Sequence, residues 1–170
     1  MLSKKGLQAF EKATKYFKQG LANKALVNTK KAIYYEPKLA EAHFLLADLS
    51  NIFGDYSQAI LEYNITLKYK PTFLEAYNNL GVIYEKINNL NLAEQAFKKA
   101  IQINYRLIEL HINLGIILIK QENYTAALRQ GMFISNYDYA MGEAFYDAII
   151  NNDTKLVTIE IVPDLLLPLS

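Results

Sequence analysis

Two asparagines carry the clearest binding chemistry in this sequence. Asn79 and Asn113 are separated by 34 residues, and a leucine follows each of them. A carboxamide side chain donates and accepts hydrogen bonds at once, so it can hold both polar groups of a peptide bond. Two such side chains on successive, equivalent elements would bind an extended backbone without reading its side chains.

The residue types that perform catalysis are scattered or absent. His43 and His111 are the only histidines, and they lie too far apart in the predicted repeats to bind one metal ion. Both occupy aromatic positions of those repeats, which predicts packing rings at the edge of the core. Cysteine is absent, and no nucleophile–base pair, phosphate-binding loop or metal-ligand spacing occurs. The sequence therefore predicts no enzyme activity, no metal and no cofactor.

Charge and hydropathy exclude several partners. The 170 residues include 18 basic and 17 acidic side chains, without the overall basic bias that nucleic-acid binding requires. The N-terminal sequence is charged and helical in period, unlike a signal peptide. No apolar run reaches the roughly 18 residues of a membrane-spanning helix. We expect a soluble cytoplasmic protein, or its plastid or organellar stroma equivalent, with neither nucleic acid nor direct membrane insertion.

A 34-residue repeat organises the elements that would position the asparagines. Small residues recur at this interval in one row of alanines and in a second row, and a proline closes two of the repeats: Ala25, Ala59, Ala93 and Ala127; Ala32, Thr66, Ala100 and Ile134; Pro37 and Pro71. Each repeat reads as two amphipathic helices joined by a polar turn. The predicted repeats are 6–39, 40–73, 74–107 and 108–141, followed by a capping helix at 142–152.

The third repeat resembles a tetratricopeptide repeat (TPR). The resemblance rests on Tyr77, Leu80, Gly81, Tyr84, Ala93, Phe97 and Ala100. In the fourth repeat, Gly131 stands where the family has an aromatic residue, which predicts a loose or kinked second helix. The resemblance implies an all-α, right-handed TPR helical solenoid, with a TPR domain at 1–152 and a separate extended tail at 153–170.

The resemblance also implies that the first helix of each repeat lines a concave groove. Its predicted peptide-binding residues are Phe10, Phe44, Leu45, Asn78, Asn79, Val82, Ile112, Asn113 and Ile116. Acidic residues at its edge favour an extended apolar peptide with a few basic side chains: Glu41, Asp48, Glu75 and Glu109. Some TPR proteins clamp an acidic C-terminus with basic residues around a central asparagine. Here the places around Asn79 hold Phe44, Glu109 and Asn113, which disfavours such ligands.

The tail at 153–170 breaks the repeat pattern. Its segment 156–162 is β-branched and apolar, which predicts an extended strand, and Pro163 ends it. A single strand is not stable alone in water. Three outcomes remain open: packing on the repeats, pairing with a partner or a second copy, or disorder.

The sequence thus favours a non-catalytic scaffold, assembly factor or co-chaperone that binds a peptide segment of a partner protein in its groove. The alternative is a structural or self-associating module whose C-terminal tail mediates oligomerisation or plugs its own groove. A targeting arm of an enzyme complex is a more distant third possibility.

Overall fold

The structure, a computed structural model, describes residues 3–151, so the predicted tail at 153–170 lies outside the described residues. This part of the chain forms nine α-helices and no strand: α1 (Lys4–Lys18), α2 (Ala22–Tyr35), α3 (Ala40–Ile52), α4 (Tyr56–Tyr69), α5 (Leu74–Lys86), α6 (Leu90–Ile103), α7 (Ile108–Lys120), α8 (Tyr124–Ser135) and α9 (Tyr139–Asn151). The helices alternate as the 34-residue repeat predicts. The helix predicted at 142–152 begins three residues earlier, at Tyr139.

The described residues divide into two compact units, the first ending at Ala76 and the second beginning at Tyr77. In the first unit, α1 packs against α2, α2 against α3, and α3 against α4. In the second unit, α6 packs against α7, α7 against α8, and α8 against α9. Consecutive helices are therefore neighbours within each unit, as short connections require.

The turn inside each repeat follows the same interval as the helices. A residue with a left-handed backbone precedes each second helix, with φ values of 71°, 77°, 58° and 60° at Gly20, Gly54, Asn88 and Glu122. Glycine and asparagine adopt this conformation at little steric penalty. The next residue is the N-cap, and in three of the repeats its side chain accepts a backbone N–H bond: Asp55, Asn89 and Asn123.

The small-residue rows lie where helices approach closely. Ala25, Ala59, Ala93 and Ala127 are all fully buried, as is the second row of Ala32, Thr66, Ala100 and Ile134, in which the fourth position holds a large side chain. Gly81 on α5 lies so close to α6 that a Cβ atom there would stand 2.6 Å from the buried Phe97 ring. The residues that recur every 34 positions therefore include those that close helix packing requires.

The second helix of the fourth repeat is continuous, contrary to the prediction of a loose or kinked helix at Gly131. α8 runs unbroken from Tyr124 to Ser135. The space that an aromatic side chain at Gly131 would fill is occupied from α9, because the rings of Phe145 and Tyr146 approach Gly131. The capping helix thus supplies the aromatic contact that α8 lacks.

Candidate functional site

The three predicted groove residues of the first unit differ in exposure. Phe10 on α1 is half-buried, whereas Phe44 and Leu45 on α3 are fully buried. The Phe44 ring stacks on Phe73 at a centroid distance of 4.7 Å and lies 5.5 Å from the Tyr63 ring. Phe44 is therefore a packing residue of its own unit, and Phe10 is the member of the three that solvent reaches.

The six predicted groove residues of the second unit lie on α5 and α7. Asn79 and Val82 on α5 are half-buried and one helical turn apart. The other four are buried: Asn78, Ile112, Asn113 and Ile116. Every residue of α7 from Leu110 to Ile119 is buried, so this helix has no open face along those ten positions. Asn79 and Val82 are thus the predicted residues that an incoming chain can reach in this unit.

A buried amide bridge connects α5 with α7. Asn113 Nδ2 donates to Asn78 Oδ1 at 3.0 Å, and Asn78 Nδ2 lies 3.5 Å from Asn79 Oδ1. The 34-residue interval makes Asn79 the equivalent of Asn113 in the preceding repeat. The hydrogen bond, however, joins Asn113 to Asn78, the residue before Asn79. Because the Asn113 amide is engaged inside the protein, it orients the asparagine pair of α5 and does not itself face solvent.

Two residues of the predicted acidic edge already have polar partners within the first unit. Lys70 Nζ lies 3.2 Å from Glu41 Oε1, and the Tyr63 hydroxyl donates to Asp48 Oδ1 at 2.5 Å. Asp48 is buried and Glu75 is half-buried. Glu109, at the start of α7, is exposed. In the second unit, therefore, a carboxylate is available near one end of the helix that carries Asn113.

The two histidines are buried, as their aromatic repeat positions predict, but sequence reasoning missed their polar partners. His43 Nδ1 lies 2.6 Å from Glu62 Oε2, and His43 Nε2 lies 2.9 Å from the Pro37 carbonyl oxygen. A carbonyl only accepts, so Nε2 carries a proton, and Nδ1 faces a carboxylate that also accepts. With Glu62 ionised, both ring nitrogens donate, and His43 and Glu62 form a buried ion pair.

The electrostatic balance at His43 follows from these contacts. Burial alone would lower the pKa of His43, but the hydrogen bonds to Glu62 and to the Pro37 carbonyl, together with the charge of Glu62, raise it above its ordinary value of 6.5. The other carboxylate oxygen of Glu62 accepts from Gln58 Nε2 at 2.8 Å. Both oxygens of the Glu62 side chain therefore have a hydrogen-bonding partner.

The fourth repeat has the same arrangement, with a carboxamide in place of the carboxylate. His111 Nδ1 lies 2.8 Å from Gln130 Oε1, and His111 Nε2 lies 2.8 Å from the Tyr105 carbonyl oxygen. In both repeats the partner side chain follows the histidine by 19 residues. That shared spacing is the signal in the sequence from which both pairs could have been found. These groups support the packing of a helix pair and provide no catalytic constellation.

Residues 3–151 contain no cluster of three or more histidine, cysteine or acidic side chains that could hold a metal ion. Within the same range, none of the helices combines the length and apolar character needed to cross a membrane.

The fold defines a helical-repeat protein, and Asn79 on α5 is the asparagine of the predicted groove that solvent reaches. Residues 74–104 match the family model of the tetratricopeptide repeat. This stretch of the chain is a tetratricopeptide repeat, and the fold is that of tetratricopeptide repeat proteins.

Solved structures with this fold align along most of the chain. MamA 41-end from Desulfovibrio magneticus RS-1 is 17% identical, with a TM-score of 0.77, and the alignment covers 96% of this chain and 99% of that MamA chain. YrrB, a TPR protein with an unusual peptide-binding site, is 17% identical with a TM-score of 0.74, and the alignment covers 92% of this chain and 86% of the YrrB chain. At these identities the likeness establishes the fold.

A third solved structure contains a bound ligand. The first TPR domain of Spaghetti (RPAP3), bound to the HSP90 peptide SRMEEVD, is 22% identical with a TM-score of 0.65. The alignment covers 68% of this chain and 91% of that domain. No curated protein matches the chain by sequence.

Proposed function

We propose that this protein is a non-catalytic interaction scaffold, of the assembly-factor or co-chaperone kind, that binds an extended peptide segment of a partner protein. The observation that carries the proposal is the side-chain pair of Asn79 and Val82 on α5, which is half-buried and backed by the buried bridge from Asn113 to Asn78. The proposed compartment is the cytoplasm or an organellar stroma. Structural neighbours described as peptide-binding support this class of function.

The α5 pair, formed by Asn79 and Val82, suits a peptide backbone with apolar side chains. Asn79 can bond both polar groups of one peptide unit, and Val82 offers an apolar contact one turn further along the same face. The side chains beneath them are already packed, so little conformational entropy is lost when a peptide binds. The exposed carboxylate of Glu109 favours a basic residue in the peptide. This preference differs from the acidic peptide bound by the Spaghetti domain.

The test is selection of binders from a displayed library of random peptides about 12 residues long, which extended would span roughly 40 Å. The selected peptide is then titrated against Asn79→Ala by isothermal calorimetry. We expect the dissociation constant to rise about tenfold, because losing hydrogen bonds to a peptide unit removes about 1–1.5 kcal/mol. The melting temperature is expected to change little, since Asn79 is half-exposed.

Asn64→Ala supplies the matched control. Asn64 is an exposed asparagine on α4 whose Nδ2 donates to the Ile60 carbonyl oxygen of its own helix at 2.8 Å. It should leave peptide affinity unchanged. If Asn64→Ala and Asn79→Ala weaken binding equally, or if selection yields no binder, the α5 pair is not the peptide site.

A further inference from the structure

Three large apolar side chains stand out by their exposure among the described residues. Tyr34 is 80% exposed, Ile150 is 79% exposed and Tyr139 is 72% exposed, whereas the next, Met132, is 62% exposed. Single exposed apolar residues are common on protein surfaces and need no explanation. These three are different, because they lie on two helix faces that also carry charges of opposite sign.

The first of these faces is the α2 stripe, formed by Val27, Lys30, Lys31 and Tyr34. Its residues follow the spacing i, i+3, i+4 and i+7, so they share one side of the helix. All four are exposed. In the part of the chain that the structure describes, neither lysine forms an ion pair. The stripe therefore presents two positive charges between two apolar side chains.

The second face is the α9 stripe, formed by Tyr139, Glu143, Asp147 and Ile150. Its residues follow the spacing i, i+4, i+8 and i+11, which again places them on one side of the helix. All four are exposed. The charge of Glu143, which also hydrogen-bonds the Tyr139 hydroxyl, raises the pKa of that hydroxyl and so marks the two side chains as neighbours. The stripe presents two negative charges between two apolar side chains.

The charge distribution along the sequence repeats this complementarity on a larger scale. Residues 3–39 contain nine lysines and two glutamates, a net charge of +7, and all nine lysines are exposed. Residues 122–170 contain seven acidic and two basic side chains, a net charge of −5. The overall value of +1 therefore conceals two oppositely charged ends of the sequence.

We propose that the α2 stripe of one copy of this protein binds the α9 stripe of a second copy. Lys30 and Lys31 pair with Glu143 and Asp147, while Tyr34 and Val27 pack on Ile150 and Tyr139. None of the nine predicted groove residues takes part, so this contact is independent of peptide binding.

The size of the stripes sets the strength of the contact. One helix face buries far less than the roughly 1,200–2,000 Å² of a stable interface, so association is weak and depends on concentration. Since its charges are exposed, added salt screens the attraction over about 10 Å at 0.1 M and weakens it further at higher concentrations. The two stripes are different surfaces, so the contact is heterologous and generates chains or closed rings of copies.

The test is sedimentation velocity of the full chain over a range of concentrations. We expect the average mass to rise with protein concentration at about 50 mM salt and to return to that of the monomer at about 0.5 M salt. The double variant Lys30→Glu with Lys31→Glu should be monomeric under both conditions. So should Glu143→Lys with Asp147→Lys. An equimolar mixture of the two variants should associate again, because each then finds the opposite charge on the other.

The control reverses the charge of two lysines outside the α2 stripe, so that the net charge changes by the same amount. Lys4→Glu with Lys15→Glu alters two exposed lysines of α1 that lie outside the α2 stripe, and it should leave association intact. A wild-type chain that stays monomeric at low salt overturns the proposal. So does a mixture of the charge-reversed variants that fails to associate. Salt-sensitive binding of the monomer to a labelled single-stranded DNA, lost in Lys30→Glu with Lys31→Glu, would instead assign the lysines to a polyanion.

Discussion

Replacing Gly81 with leucine is expected to lower the free energy of unfolding by about 3 kcal/mol or more, the upper range for overpacking a core. A Cβ atom at this position would lie 2.6 Å from two atoms of the Phe97 ring, and that ring is fully buried. The clash outweighs the roughly 1 kcal/mol that helix propensity gains when glycine is replaced. Urea denaturation followed by circular dichroism measures the change.

A second substitution tests the cause of this loss. Phe97→Ala alone should also destabilise, by about 3–5 kcal/mol, because it leaves a cavity. Combined with Gly81→Leu, it should destabilise by less than the two single changes together, since the leucine enters the space that the ring vacates. Gly131→Ala is the milder control, because its Cβ atom would lie no closer than 3.1 Å to the Phe145 ring. Additive losses at Gly81 and Phe97 would contradict a direct clash between them.

The part of the fold that follows the 34-residue interval was predictable, because identical backbone requirements recur at identical places. A turn needs a left-handed residue and a helix cap, and a close helix pair needs a small side chain. Residues that meet these needs are few, so they show in the sequence: Gly20, Gly54 and Asn88 in the turns, and the alanine row in the pairs. The helices of all four repeats are confirmed for this reason.

The exposure of the predicted groove residues does not follow the 34-residue interval, because burial depends on which elements pack against each helix face. Asn79 and Asn113 are equivalent in sequence, yet the first is half-buried and the second is buried and bonded to Asn78. Periodicity assigns a residue to a helix face but does not say whether that face stays open. The peptide-binding role of the nine residues therefore stays a prediction.

Two further features were present in the sequence but not extracted from it. The ion pair of His43 and Glu62 needs a comparison of residues 19 apart across a helix pair, and hydrophobic patterns do not include this spacing. The α2 and α9 stripes need charge to be counted by segment, because the total cancels to +1. Both features are electrostatic, and neither is visible in the composition or the net charge of the whole chain.

Replacing Glu62 with alanine is expected to destabilise the protein by about 3 kcal/mol, since it leaves one partner of a buried ion pair uncompensated. Glu62 is 6% exposed and His43 is likewise 6% exposed, so water cannot readily replace the lost carboxylate. The loss is largest at low pH, where the histidine must be buried with its charge or give up a proton. Near pH 8 the ring is already neutral in the unfolded chain, and the loss is smaller.

The pH dependence of stability should therefore change sign at this position. In the wild-type chain, the raised pKa of His43 adds stability that is fully present below the ordinary value of 6.5 and is lost as pH rises through the folded-state pKa. In Glu62→Ala, the effect of burial exceeds that of the Pro37 carbonyl, so the pKa of His43 falls below 6.5. The His43 contribution then grows as pH rises through 6.5. Urea midpoints measured from pH 5 to about 8.5 compare the two slopes.

Gln130→Ala distinguishes the charge from the hydrogen bond. It removes the partner of His111 at the equivalent place in the fourth repeat, where that partner is an uncharged carboxamide and the lost hydrogen bond contributes about 1 kcal/mol. Gln130→Ala should lower stability while keeping the contribution of His43 to the pH dependence, because the His43 pair is intact. If Glu62→Ala also keeps the wild-type slope, His43 is neutral in the folded protein, and its proton lies on the carboxyl group of Glu62. Only an ionised Glu62 makes the histidine's charge part of the stability of the second repeat, and only then does acid strengthen that helix pair.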